Sequence, residues 1–388
     1  MVKSFTCRFF NEEIGTINWE EVDKTPEFIK LKETKQNPLW HGEGDAYIHT
    51  RKVVEAMEQI VDKHNYDEHT RKIMLLAALF HDVGKGVTTY FDDKDKKSWT
   101  SPNHAIESMK IARRLLWGIN PVYREQICSL VANHMQPLYV KTKGNPIHKI
   151  IELASDRCGG LNLLLQLKEA DCRGSIVDPS MDDNWEKDLE WVREKAIGLN
   201  CLYSPTTLFN NGKHRRRYFE NKDYVYPSEV DEKDYPEQEF DVVFMMGLPG
   251  SGKTTCRQSY AFEDNVVCRD DIRTSIGIGG EKPQGNSQQE NEVTKIQNRM
   301  IKEFADKKQS FIIDATNLKK KYRDDLKNLL KPYNCKIHYH YVEAPSFEET
   351  LKRREGMINP EVIVNMRNNF EFPRPWEADE IFFDIQQF

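Results

Sequence analysis

Apolar positions recur at helical spacing through the first half of the chain, over residues 46–61, 67–81, 103–117, 122–135, 147–157, 160–172 and 184–197. Each span predicts an amphipathic helix. Beyond residue 239 the pattern changes. Short apolar runs at 240–246, 265–268, 310–314, 336–343 and 380–385 alternate with helical stretches. Strands alternating with helices predict an α/β domain with a parallel sheet. Residues 221–240 fit neither pattern, carrying Pro227, Pro236 and seven acidic residues against two lysines. Such a stretch predicts a connector. The expected architecture is therefore multidomain: an all-α helical bundle over 1–200, a connector over 201–238, and an α/β domain over 239–388.

Composition adds boundaries to this picture. A chain of 388 residues is long enough to bury two separate cores. The longest apolar run, Ile73–Phe80, falls far short of the roughly 20 residues that span a bilayer, and the N-terminus lacks the apolar core of a signal peptide. The eight cysteines are scattered without a C-x-x-C pair, which argues against a disulfide framework and a zinc ribbon. A cytoplasmic location without membrane contact is expected. The net charge of −6 lies mostly in residues 221–240, so the remainder is nearly neutral and a basic local surface stays open.

The first chemical motif follows the run Asp241-Val-Val-Phe-Met-Met246. Gly247, Leu248, Pro249, Gly250, Ser251, Gly252, Lys253 and Thr254 spell the complete G-x-x-x-x-G-K-[ST] pattern, continued by Thr255. It has the strand-to-helix context of a phosphate-binding loop. Gly250 and Gly252 let backbone N–H groups wrap phosphates, at the positive end of a helix. Lys253 would bridge the β- and γ-phosphates of ATP or another NTP, and Thr254 would ligate Mg²⁺.

Two further features separate a kinase from a motor. Asn265-Val-Val-Cys268 runs into Arg269-Asp-Asp-Ile-Arg273, placing a carboxylate outside a strand's carboxyl end, where ligands of parallel sheets bind. It could deprotonate an attacking hydroxyl. Phe311-Ile-Ile-Asp314 closes a strand on an aspartate followed by Ala315, where an ATP-hydrolysing motor would carry Glu. Lys352-Arg-Arg354 lies between two predicted helices and could close over the transferring group. These segments resemble the bacteriophage-type 5′-OH polynucleotide kinase family over about residues 239–388. The resemblance implies a general base at Asp270, an acceptor-phosphate contact at Arg273, a lid arginine at Arg354 or Arg353, and an active-site role for Asp314 beside the nucleotide.

In the N-terminal half, His49, Val53, Met57 and Ile60 share one helical stripe, so a histidine points into the core. The apolar run Ile73–Phe80 ends directly in His81-Asp82-Val-Gly-Lys85. An imidazole and a carboxylate at the end of so apolar a helix are costly unless paired, and a divalent cation pairs them. Asp171 shares an inward stripe with Leu164 and Leu167. His104 opens and His134 closes two further helices, and each could serve a second ion or the substrate. The H…HD…D pattern resembles the HD phosphohydrolase superfamily over about residues 35–180. That resemblance implies metal ligation by His49, His81, Asp82 and Asp171, with His104 and His134 matching the extra histidines of two-metal members, and a substrate-phosphate contact at Lys85. One or two ions of Mn²⁺, Mg²⁺, Co²⁺ or Ni²⁺ fit such a mixed donor set.

The two halves together resemble the bacterial HD-Pnk end-healing enzymes. This implies phosphorylation of 5′-OH ends of RNA or DNA, metal-dependent hydrolysis of 2′,3′-cyclic, 2′- or 3′-phosphate ends, and a nucleic-acid ligase acting afterwards. Two alternatives stay open: a small-molecule kinase fused to a nucleotide phosphohydrolase, and a nucleotide-sensing P-loop that regulates an HD hydrolase. The basic run His214-Arg-Arg-Arg217 reads as a solvated face more readily than as a grip on a nucleic-acid backbone.

Overall fold

The computed structural model describes residues 5–94, 97–181, 184–205, 207–278 and 286–385. The described chain forms two compact units. One comprises residues up to Leu208 together with Asp223–Tyr226, and the other comprises Phe209–Lys222 together with Pro227 onward.

The first unit is helical. Its frame consists of α1 (Ala46–Lys63), α2 (Glu68–Phe80), α3 (His104–Leu115), α4 (Pro121–Asn133) and α5 (Leu161–Gly174). Helix α2 is buried without interruption from Lys72 to Phe80, as expected of a helix apolar on every face. It packs against α1, α4 and α5, and α1 packs on α5. Phe80, Phe9 and Phe28 form an aromatic contact with centroids 5.3–6.0 Å apart. The one cation in the buried stretch, Lys72, donates to Phe5 O at 2.7 Å and pairs with Glu12 at 2.5 Å. Two short antiparallel pairs, Phe10–Asn11 with Thr16–Ile17 and Tyr90–Asp92 with Ser98–Thr100, lie outside the periodicity of the sequence because two or three residues are too few to show alternation.

The second unit carries a five-stranded sheet in which every pairing is parallel. In chain order the strands are β1 (Phe240–Met246), β2 (Val266–Cys268), β3 (Phe311–Asp314), β4 (Cys335–Glu343) and β5 (Glu380–Ile385). Their spatial order is β2-β3-β1-β4-β5. All five coincide with the apolar runs of the sequence. Register pairs Met245 with Asp314 and Cys268 with Asp314, so the carboxyl ends of β1, β2 and β3 align on one edge.

Residues 201–238 are more than a connector. They contain α6 (Gly212–Glu220), capped by Asn211, and the basic run lies on it as an internal structural element. Arg216 pairs with buried Asp379 at 3.2 Å, Arg215 donates to Asp379 O at 3.1 Å, and Arg217 pairs with Glu220 at 2.9 Å. The sequence reading of these residues as a solvated face gives way for a physical reason: a strand-end carboxylate that the local pattern does not reveal takes up the guanidinium.

Candidate active sites

In the helical unit, separate elements deliver the ligand candidates to one point. Asp45 caps α1 by accepting from Ile48 N at 2.8 Å, and His49 follows on the buried face. Helix α2, capped by Asp67, ends at His81. Gly84 stands so near α3 that a Cβ would lie 2.5 Å from Ser108 N and 2.6 Å from His104 O. Only glycine allows this approach, which brings His104 against Asp82. His134 follows the last turn of α4, and Asp171 lies near the end of α5.

The resulting cluster has two lobes sharing Asp82. In one, His49 Nε2 lies 3.3 Å from His81 Nε2 and 3.1 Å from Asp171 Oδ1, and Asp82 Oδ2 is 3.2 Å from His81 Nε2. In the other, His104 Nε2 lies 3.4 Å from His134 Nε2 and 3.3 Å from Asp82 Oδ1. The Nδ1 atoms fix the tautomers. Those of His81, His104 and His134 donate to Ala78 O, Ser101 O and Val131 O, each at 2.8 Å. His49 Nδ1 faces Glu43 Oε1 at 2.8 Å. With Nδ1 carrying the proton, Nε2 presents a lone pair. Two Nε2 lone pairs at hydrogen-bond distance repel each other, and Asp82 Oδ1 is buried without a hydrogen-bond partner among the described residues. Both features match a donor set built for divalent cations, with Asp82 shared by the two lobes.

Electrostatics agree. Burial pushes the His134 imidazole down to about 3 and lowers His104 as well, keeping both neutral. Burial alone would raise the Asp82 and Asp171 carboxyls. His81 and Lys85 around Asp82, and Lys168 beside Asp171, hold both well below the usual carboxylate range.

All six candidates converge, and Lys85 joins them with Nζ 2.6 Å from Asp82 Oδ2 and 2.7 Å from Gln36 Oε1. Sequence reasoning missed three neighbours. Glu43 accepts from Ile176 N at 2.8 Å and touches both His41 and His49. Lys168 pairs with Asp171 at 2.6 Å. The signal for Lys168 was present, since it stands one turn before Asp171 on an inward helix. Glu43 and His41 lie in a loop, where no helical periodicity marks them.

In the sheet unit, the phosphate loop joins β1 to α7 (Lys253–Arg257). Gly247 has φ 144°, and a Cβ there would stand 2.2 Å from Val342 O, so only glycine brings the loop this close to β4. Lys253 Nζ donates to Gly247 O at 3.1 Å and Leu248 O at 2.9 Å. Burial lowers its pKa to about 8, opposed by Asp314 and aided by Arg354. Asp314 pairs with Arg257 at 2.8 Å, a partner absent from the sequence reading, and burial raises its carboxyl. Thr254 and Thr255 lie on the first turn of α7, both exposed.

Asp270 and Arg273 lie on α8 (Arg269–Ser275) and pair at 2.6 Å, with the Asp270 side chain 86% exposed. Glu290, on α9 (Ser287–Asp306), holds Arg273 at 2.8 Å and Arg269 at 2.9 Å. The two lid candidates differ. Arg353 donates to Gly250 O at 3.2 Å and pairs with Glu349 at 2.8 Å. Arg354 Nε is buried without a hydrogen-bond partner among the described residues.

Comparison with known proteins follows this division. The family model for the HD domain matches residues 46–166, and that for an AAA domain matches residues 242–373. The chain carries an HD domain and a P-loop kinase-like domain. It is 30% identical over 159 residues to L-seryl-tRNA(Sec) kinase of Methanococcus maripaludis, across 38% of this chain. The chain spans 60% of that relative's length. A solved candidate kinase from Chloroflexus aurantiacus is 16% identical, with a TM-score of 0.33, covering 38% of this chain and 87% of that one. Among the described residues, no helix is long and apolar enough to cross a membrane.

Proposed function

We propose that this chain is a bifunctional end-healing enzyme. The kinase-like domain transfers the γ-phosphate of an NTP to the 5′-OH of RNA or DNA, and the HD domain hydrolyses 2′,3′-cyclic, 2′- or 3′-phosphate ends, leaving termini for a ligase. One observation carries the macromolecular acceptor: the Asp270 carboxylate stands 86% exposed. A kinase for a small free acceptor has reason to enclose its base, whereas the end of a polynucleotide needs an open approach. The resemblance to end-healing fusions supports the same reading, and the similarity to a kinase named for a tRNA substrate is compatible with it.

In the kinase-like domain, Lys253 leaves the loop carbonyls for the β- and γ-phosphates, and Thr254 offers its hydroxyl to Mg²⁺. Asp270 takes the proton of the attacking hydroxyl while Arg273 orients it and binds the acceptor phosphate. Asp314, braced by Arg257, faces the phosphates. Arg354, which has an unengaged donor where Arg353 is tethered, serves as the lid.

In the HD domain, His49, His81, Asp82 and Asp171 hold one divalent cation, and Asp82, His104 and His134 hold another. Such cations supply charge neutralisation of the phosphate and an acidified water. Lys85, fixed by Asp82 and Gln36, offers its ammonium to a phosphate oxygen. The deciding experiment presents an RNA strand with a 5′-OH and a 2′,3′-cyclic phosphate, with both ends followed in parallel. Label passing from γ-labelled ATP to the 5′ end, with opening of the cyclic end, is the expected result. Phosphorylation of a free nucleoside but not of the strand would overturn it in favour of a small-molecule kinase.

A further inference from the structure

A second kind of ligand cluster lies in the sheet unit, outside the groups used above. Cys256 sits on α7, three residues beyond Lys253. His340 lies on β4 and Asp384 on β5. Register pairs His340 with Phe382, so Asp384, two residues beyond Phe382, projects from the same face of the sheet as His340. One potential ligand atom from each of the three residues lies within 4.8 Å of the others.

Their geometry resembles that around a metal. Cys256 Sγ is 3.3 Å from His340 Nε2 and 3.7 Å from Nδ1. A tetrahedral zinc ion with ordinary bond lengths would separate sulfur from nitrogen by about 3.6 Å. His340 Nδ1 is 2.7 Å from Tyr260 Oη. A histidine ligand customarily bonds its other ring nitrogen to such a partner. The sulfur is buried, and Val243, Met245, Ile312 and Val342 pack into the same apolar cluster as Cys256. This shell limits water access and favours a borderline-soft cation over a hard, strongly hydrated one.

We propose that Cys256, His340 and Asp384 form a further cation site, selective for a thiolate-preferring divalent metal of the zinc class. Binding forms metal–sulfur, metal–nitrogen and metal–oxygen bonds, and the thiol proton passes to solvent. Thiolate, imidazole and carboxylate supply three ligands and leave a fourth position. The ion ties the helix that follows the phosphate loop to β4 and β5. This charge arrangement differs from that of the HD cluster, which contains no sulfur among its donors, and the difference makes the two sites separable by spectroscopy.

The test uses the full-length protein, stripped with chelator and titrated with Co²⁺. A near-ultraviolet thiolate-to-cobalt charge-transfer band is expected, rising to saturation as Co²⁺ fills the site and erased by Zn²⁺. It should vanish in Cys256→Ser and weaken in His340→Gln and Asp384→Asn, yet remain in Asp82→Ala. Absence of the band in the wild-type protein would overturn the proposal. So would its survival in Cys256→Ser or its loss in Asp82→Ala. His340→Gln keeps the thiol, so full retention of the band in a folded His340→Gln protein would also count against the site.

Discussion

Replacing Glu43 with glutamine tests how the HD cluster presents its metal ligands. Glu43 Oε1 lies 2.8 Å from His49 Nδ1, and its other oxygen accepts from Ile176 N at 2.8 Å. The carboxylate can only accept, so it keeps the His49 proton on Nδ1 and leaves the Nε2 lone pair facing His81 and Asp171. The amide introduced by Glu43→Gln can instead turn its NH₂ toward the ring. His49 then accepts at Nδ1, and the proton moves to Nε2, where it blocks ligation. The side-chain volume is nearly unchanged, so the substitution isolates orientation from packing. Losing a partner of this kind typically costs 10–100-fold in metal affinity, or about 1.4–2.8 kcal/mol. Mn²⁺ titration by calorimetry measures it directly, and phosphoesterase assays at limiting metal should fall in parallel. Kinase activity serves as the internal control. An unchanged Mn²⁺ dissociation constant in a folded Glu43→Gln protein would refute the reasoning.

Other outcomes follow from the same geometry. Lys253→Ala should abolish phosphoryl transfer and spare phosphoesterase activity, while Asp82→Ala should do the reverse; loss of both activities in either variant would break the division of labour. Asp270→Asn should lower the kinase rate by roughly 10²–10⁴-fold with ATP binding retained, as read by nucleotide titration; a regulatory P-loop would tolerate it. Metal-free protein should lose stability as pH falls from 6.5 toward 4.5. His134 is held neutral with a pKa of about 3 when folded against 6.5 ordinarily, so the unfolded chain binds the extra proton and this group's share of the slope is at most ~1.4 kcal/mol per pH unit. Thermal melts should show that slope flattened in His134→Gln. Arg216→Ala, which leaves the buried Asp379 carboxylate without its pair, should destabilise the sheet unit by about 3–5 kcal/mol, measured by denaturant unfolding.

Much of this was legible in the sequence, for physical reasons that also mark where it ended. The five strands stand out because a parallel sheet buried on both faces demands uninterrupted apolar runs, as in Phe240–Met246 and Phe311–Asp314. His49, His81, Asp82 and Asp171 could be found because polar groups at inward helical positions break an apolar stripe. The phosphate loop carries its pattern in consecutive residues. Glu43 could not be found in this way, because its contact with His49 depends on a loop returning to pair with Ile176. The Arg257–Asp314 pair likewise joins a helix and a strand 57 residues apart. The role of Arg216 depends on a carboxylate 163 residues away, which no local charge pattern contains.

Helix α6 also redraws where a kinase fragment could begin. A fragment starting at β1 would include every residue of the phosphate loop, Asp270 and the lid. It would nevertheless enclose Asp379, which accepts from Ile337 N at 2.7 Å, without the guanidinium that neutralises it. Gly212, where any Cβ would meet Asp379 O at 2.1 Å, shows how tightly that helix is fitted to the edge of the sheet. The segment entering at Phe209 is thus part of what the sheet folds around, and transplanting the catalytic motifs alone would transplant an incomplete domain.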